Sequence, residues 1–183
     1  MVTSDLGDGA LLTRPENLCG RTDIGVELVA NGRLHPTLRY NACVNLFRQE
    51  IDASNIVGGS NRTSDLISGS LNLNWQPTAA DFIQVSTIWT GDQMLAQATR
   101  EGATIVNLGY RRKLTEQLAL LVSGRDVFEN GRNVTTLDTP SFRDRTEMTM
   151  DGRTGFIGLT WTFGQRSRPQ DPTFDFSAPQ TGN

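Results

Sequence analysis

No apolar run in this sequence approaches the ~18 residues that a membrane-spanning helix needs. The densest, Leu118-Ala119-Leu120-Leu121-Val122, is far too short, which excludes a helical membrane protein. Hydrophobic residues make up only 37% of the 183, which is little for a water-soluble domain of this length to bury, so apolar side chains must be used economically. Histidine occurs once and cysteine twice, too few to suggest a metal cluster or an acid–base constellation. Neither sign of charge dominates: 17 Lys and Arg stand against 20 Asp and Glu, for a net −3. A nucleic-acid partner would call for a basic face, and none is expected. The opening residues Met1-Val2-Thr3-Ser4-Asp5-Leu6-Gly7-Asp8-Gly9 lack the basic segment and apolar core of a secretory signal. Either the protein stays where it is made, or the chain is missing its own beginning.

What is present is strict alternation, the mark of a strand with two chemically different faces. Over residues 37–48 the even positions Leu38, Tyr40, Ala42, Val44 and Leu46 oppose Arg39, Asn41, Cys43 and Asn45, with Phe47 breaking the polar set. Over 67–75, Ile67, Gly69, Leu71, Leu73 and Trp75 oppose Ser68, Ser70, Asn72 and Asn74. The same pattern, less clean, recurs at 22–31, 82–90, 104–112, 118–125 and 153–163. Seven strands and no helix are predicted. They run to the ~9–11 residues of a tilted membrane strand rather than the ~5–6 usual in soluble proteins.

The connections alternate too. Short links join the first strand to the second, the third to the fourth and the fifth to the sixth, while residues 49–65, 91–102 and 126–151 form long polar links. Short periplasmic turns and long extracellular loops are the layout of an outer-membrane barrel. Trp75, Trp89, Tyr110, Trp161 and Phe163 lie toward the ends of the apolar faces, as interfacial girdles would. The predicted fold is therefore all-β, an antiparallel transmembrane barrel segment of about seven meander strands. Residues 1–21 would be an extracellular loop or leader, 22–164 the carboxy-terminal barrel strands, and 165–183, with Pro169, Pro172 and Pro179, a disordered periplasmic tail. Single-chain bacterial barrels have even strand numbers from 8 upward, so seven strands read as the end of a larger barrel.

Three stretches carry a resemblance: Val106-Asn107-Leu108-Gly109-Tyr110-Arg111-Arg112-Lys113-Leu114, then Leu118 through the Arg125-Asp126-Val127-Phe128 corner, then Arg153-Thr154-Gly155-Phe156-Ile157-Gly158-Leu159-Thr160-Trp161-Thr162-Phe163-Gly164. The chain from about Arg21 to Gly164 resembles the carboxy-terminal barrel of TonB-dependent outer-membrane receptors, within the outer-membrane β-barrel family. The resemblance implies a 22-strand barrel in the outer membrane of a Gram-negative bacterium, with a plug domain and a TonB-engaging box that are not visible in this chain. It implies energy-coupled uptake of a scarce nutrient (a siderophore, a cobalamin-like ligand or an oligosaccharide), without enzymatic activity or a cofactor. Ile157, Leu159, Trp161 and Phe163 would form the signal read by the barrel-assembly machinery. The expected partners are the lipid bilayer, that machinery, the TonB complex through the plug, and the nutrient. Two alternatives stand beside this: a self-standing outer-membrane channel or structural barrel, and a soluble β-sandwich binding module.

The candidate lumen-lining residues, facing ligand or plug, are Arg39, Asn41, Asn45, Ser70, Asn72, Asn74, Gln84, Ser86, Asn107, Arg111, Arg125 and Arg153. No catalytic or metal-binding residue is expected. His35, beside Pro36 in a short turn, reads as solvated, and Asp126, beside Arg125, as a cap anchoring the loop that follows it. The carboxylates of 138–151, alternating with Arg143, Arg145 and Arg153, read as a solvated, ion-paired loop. If the first two strands pair about a turn near Leu34, Cys43 lies opposite about Gly25 and some 20 Å from Cys19, beyond the ~7 Å limit for a disulfide. Two free thiols are expected.

Overall fold

A computed structural model of the chain describes residues 2–5, 10–14, 20–55, 61–139, 142–149, 152–163, 173–174 and 176. Every regular element among them is a strand. In chain order these are β1 (Val2–Asp5), β2 (Leu11–Arg14), β3 (Gly20–His35), β4 (Leu38–Asp52), β5 (Arg62–Trp75), β6 (Asp81–Thr90), β7 (Gln93–Met94), β8 (Ala98–Arg100), β9 (Ala103–Lys113), β10 (Leu118–Arg125), β11 (Arg132–Asp138), β12 (Arg143–Thr149) and β13 (Thr154–Trp161).

The seven strands predicted from alternation all form. They make one antiparallel sheet in the order β13-β10-β9-β6-β5-β4-β3, a meander once the long connections are skipped. Among the described residues its edge strands β3 and β13 are not paired with each other, and the sheet is open. Three sequence-based bounds were too short: β3 runs on through residues 32–35 toward the short turn, and β3, β4 and β5 all extend on the side of the long connections. There the side chains turn polar on both faces and the apolar/polar signal fades.

Two long connections, expected to be loops, are themselves folded. β7 and β8 from one, and β11 and β12 from the other, join in a four-stranded sheet of order β12-β11-β8-β7. The β8–β11 pairing joins residues more than thirty positions apart, Thr136 with Thr99 and Leu137 with Ala98. No local pattern in the sequence announces it. The stretch expected as a loop or leader contains a β1–β2 hairpin.

The turn between β3 and β4 falls at Pro36-Thr37 rather than Leu34, which moves the register. Cys43 lies opposite Val29, and Gly25 opposite Phe47. Cys43 is a free thiol. Cys19 lies outside the described residues, but its neighbour Gly20 pairs with Asp52, nine residues along β4 from Cys43 and so ~30 Å away at ~3.3 Å per residue. His35 ends β3 exposed, its ring Nδ1 2.9 Å from the Thr37 hydroxyl.

Burial is inverted relative to a water-soluble sheet. Gln49, Gln84, Ser86, Asn107 and Ser123 are buried, whereas Ile157 is 80% exposed, Ile24 73% and Leu159 67%. A β-sandwich hides its apolar faces against a second sheet; this sheet shelters its polar face and presents the apolar one. Exposed apolar area on this scale costs roughly 25 cal/mol for each Å² left in water, so this face calls for an apolar surrounding.

The apolar residues also drift along the ladder. Ile157, Val122, Tyr110, Ile83, Trp75 and Leu38 share one row across six strands. On β3, however, the apolar set reaches Ile24, opposite Arg48, ten residues beyond Leu38 on β4. Ten residues over six strand steps is about 5.5 Å along the strands per ~4.8 Å across them. The apolar band thus crosses the ladder at about 50°, close to the ~45° at which barrel strands tilt through a bilayer.

Ion pairs stand where the band stops. Arg48 donates twice to Asp65, at 2.9 and 3.1 Å, in the phase of the apolar residues but just past Leu46 and Ile67. At the short-turn end Arg112 reaches Asp81 at 3.5 Å, one step past Tyr110 and Ile83. Within the band, Gly69 lies opposite Trp89. A Cβ at Gly69 would collide with the Trp89 ring and with the Cys43 carbonyl, so the indole lies flat over the bare backbone. Gly69→Ala should lift the ring and cost roughly 1–3 kcal/mol by overpacking. The check is a change in Trp emission that is absent in a Trp89→Phe background.

Candidate functional site

The polar face is built row by row from the even residues of β5, β6 and β13 and the odd residues of β3, β4, β9 and β10. Arg39, Asn74, Gln84, Gly109 and Ser123 stand side by side across five strands. Asn41, Asn72, Ser86 and Asn107 form the next row toward the long connections. Asn45 faces Ser68, and Ser70 faces Cys43. Register thus brings eleven of the twelve predicted wall residues onto one face. They differ in shelter: Gln84, Ser86 and Asn107 are buried, Asn45, Ser70, Asn72, Asn74, Arg111 and Arg125 half-buried, and Arg39 and Asn41 exposed nearer the β3 edge.

Arg153 is the exception. It precedes β13 and shares the phase of Ile157 and Leu159 rather than that of Thr154 and Phe156. Its guanidinium donates to Glu129 at 2.6 Å. It belongs with Arg48–Asp65 as a charge at the edge of the apolar band and does not line the polar wall. The sequence already contained this parity: 153 and 157 are both odd.

At the long-connection end, the wall is tied to its loop by Asp126. Asp126 (φ 44°) and Glu129 (φ 58°) both take the left-handed conformation that L-residues rarely adopt. The bends place the buried Asp126 carboxylate where it accepts the Asn130 N–H at 3.1 Å and the Gly131 N–H at 2.8 Å. The Asp126 N–H donates to Asn107 Oδ1 at 3.0 Å, so the loop hangs from the wall itself. A Cβ at Gly131 would stand 2.7 Å from the carboxylate. The expected cap role of Asp126 is what the geometry shows. At the end of β4, Asp52 accepts the Ser54 N–H at 3.1 Å, and this bond holds its carboxyl below the ordinary range. That bracing is present at neutral pH and is lost as the pH falls through the depressed value.

Between the four-stranded loop sheet and the ends of β6 and β9 lies an open groove of about 300 Å³, lined by Thr90, Thr104, Asn130, Arg132, Arg145 and Glu147 among others. Arg145 meets Glu101 at 2.9 Å and Arg132 meets Glu147 at 3.4 Å. The ion-paired character expected for this region is present, but on paired strands. A second groove, about 340 Å³, opens at the short-turn end between Pro36, Arg39, Asn74, Thr78, Phe82 and Thr173.

Some wall residues escaped the sequence. Gln49 is buried and donates to Asp23 Oδ1 at 3.1 Å, but the predicted strand stopped one residue before it. Ser123 is buried in the wall and Gln97 in the loop region; parity alone could have found Ser123. Phe82 and Phe174 are apolar residues on the polar face, and alternation is blind to them.

The signal predicted for Ile157, Leu159, Trp161 and Phe163 lies along the edge strand and just past it, fully on the exposed face, with the Trp161 and Phe163 rings stacked at 5.9 Å. The arrangement offers polar contacts, hydrogen-bonding rows and two grooves. Among the described residues no group of His, Cys, Asp and Glu could hold a metal ion. Residues 1–161 match a family model described as the outer membrane protein beta-barrel family. No curated protein and no solved structure matches the chain.

Proposed function

The chain belongs to the outer membrane protein β-barrel family, and from that premise we propose that its sheet is one sector of the wall of a TonB-dependent receptor for a scarce nutrient. Family membership implies an outer-membrane lipid environment, which supports reading the apolar face as the one that meets lipid. The observation that carries the finer reading is the sheltered polar wall on a sheet that cannot close by itself. β3 and β13 run in the same direction and both have an open edge. In hydrocarbon each unpaired backbone group costs several kcal/mol, so antiparallel closure requires an odd number of further strands. A wide barrel leaves a lumen that side chains do not fill, and a receptor fills it with a plug.

In this reading the Asn/Ser/Gln rows face plug or passing ligand, and the loop sheet with its charged groove captures the ligand outside the cell. The apolar edge strand β13 is presented to the barrel-assembly machinery. The wall performs no covalent chemistry; uptake is driven through the plug by TonB. The nutrient would be a ferric siderophore, a cobalamin-like compound or an oligosaccharide. The test is uptake of labelled members of each class by the native host with the gene deleted, in the presence and absence of TonB. Loss of one class only where TonB is active is the expected result. Uptake of all three unchanged, or a loss that is independent of TonB, would sink the receptor reading in favour of a passive channel or structural barrel.

A further inference from the structure

We propose that the wall carries, at its short-turn end, a binding site for an extended, phenylalanine-bearing peptide, and that the occupant is this chain's own tail around Phe174. Phe174 lies eleven residues after Phe163, in a stretch where polar residues and proline predominate. Solvated tails are poor in aromatics because they bury nothing; this one carries Phe174 and Phe176 at alternate positions, their rings stacked at 5.9 Å.

The contact has four parts. The Gln84 side chain reads the Phe174 backbone from both sides: Nε2 donates to the carbonyl at 3.2 Å, and Oε1 accepts the N–H at 2.8 Å. A primary amide used in this way copies one rung of a β-ladder. The ring lies over Gly109, where a Cβ would collide with it. Phe82, buried on the same face, stacks with it at 6.5 Å and 15°. Thr173 continues into the groove beside Asn74, whose buried Oδ1 has no partner among the described residues. Gln84 and Gly109 are register partners, so the seat is a property of the wall and precedes the tail.

These features also explain one another. Phe82 supplies a ring to stack on, Gly109 bare backbone beneath the Phe174 ring, and Gln84 an amide long enough to reach the Phe174 backbone. Phe174 thereby occupies the short-turn end of this sector of the wall. Tethering raises its local concentration to the order of mM, so a weak contact suffices and can be displaced. The inference needs the wall but not the nutrient or TonB. Its test reads tail docking alone, and a failure of the uptake reading leaves that test standing.

Chymotrypsin cleavage after Phe174 and Phe176 is measured on the full chain in detergent micelles. The wild type should be cut more slowly than a free peptide of sequence 171–179. Gln84→Ala and Gly109→Leu should each speed cleavage about tenfold, because proteolysis follows the population of the open form. Ser86→Ala, one row away, should leave the rate unchanged. Phe174→Ala alters only the tail and cannot unfold the wall; it should expose Phe176 to faster cutting. A wild-type rate equal to that of the free peptide, or an unchanged Phe176 rate in Phe174→Ala, overturns the proposal.

Discussion

Leu108→Arg should prevent stable assembly of the wall in a bilayer, while Asn72→Arg, carrying the same charge, should be tolerated. Leu108 sits on the exposed apolar face of β9, between Val106 and Tyr110 and opposite Val85. A guanidinium near the bilayer midplane costs ~2–4 kcal/mol, a large share of the few kcal/mol by which folded domains are stable. Asn72 lies on the polar face between Asn41 and Ser86, where a cation stays hydrated. The pair is measured by membrane fractionation and by refolding into lipid vesicles. Equal behaviour of the two variants would mean that the exposed face does not meet lipid. A shared loss of assembly would be the more damaging outcome, because it would remove the distinction between faces on which the membrane reading stands.

Asp126→Ala should detach the long connection after β10 at a cost of about 2–5 kcal/mol, from two sources. The Gly131 N–H is buried and loses its acceptor, at ~1–3 kcal/mol, and alanine at φ 44° pays a further ~1–2 kcal/mol for the left-handed conformation. Asp126→Gly separates them, keeping the backbone relaxed and losing only the carboxylate. Asp126→Asn keeps one acceptor oxygen and should be the mildest of the three. Urea unfolding in micelles, with limited proteolysis of the 126–131 segment, checks the order Ala, then Gly, then Asn. If glycine proved as mild as asparagine, the carboxylate bonds at 3.1 and 2.8 Å would contribute little and backbone strain would dominate. Because Asn107 Oδ1 accepts the Asp126 N–H, loosening the corner should also be felt in the wall.

Alternation at residues 37–48 and 67–75 was enough to place two strands and both their faces, because which way a side chain points along a strand depends only on residue parity. The same parity would have kept Arg153 off the polar wall, since it shares the phase of Ile157. Charges on the apolar phase at Arg48, Asp65, Asp81 and Arg112 also mark the band's edges in the bare sequence, but only pairing shows that they meet. The β3–β4 register depended on where the chain reverses, and moving the turn from Leu34 to Pro36-Thr37 shifted Cys43 from Gly25 to Val29.

Residue parity and the turn residues between segments state the seven strands, their meander order, and which face of each is apolar. All of these are local: a strand of period two between turn residues states them without reference to any distant part of the chain. The β8–β11 pairing, the shelter of the polar face and the seat of Phe174 on Gln84 and Gly109 follow from the folded chain alone. Those contacts join residues tens of positions apart. Their free energy resides in the closed geometry, which no window of neighbouring residues contains.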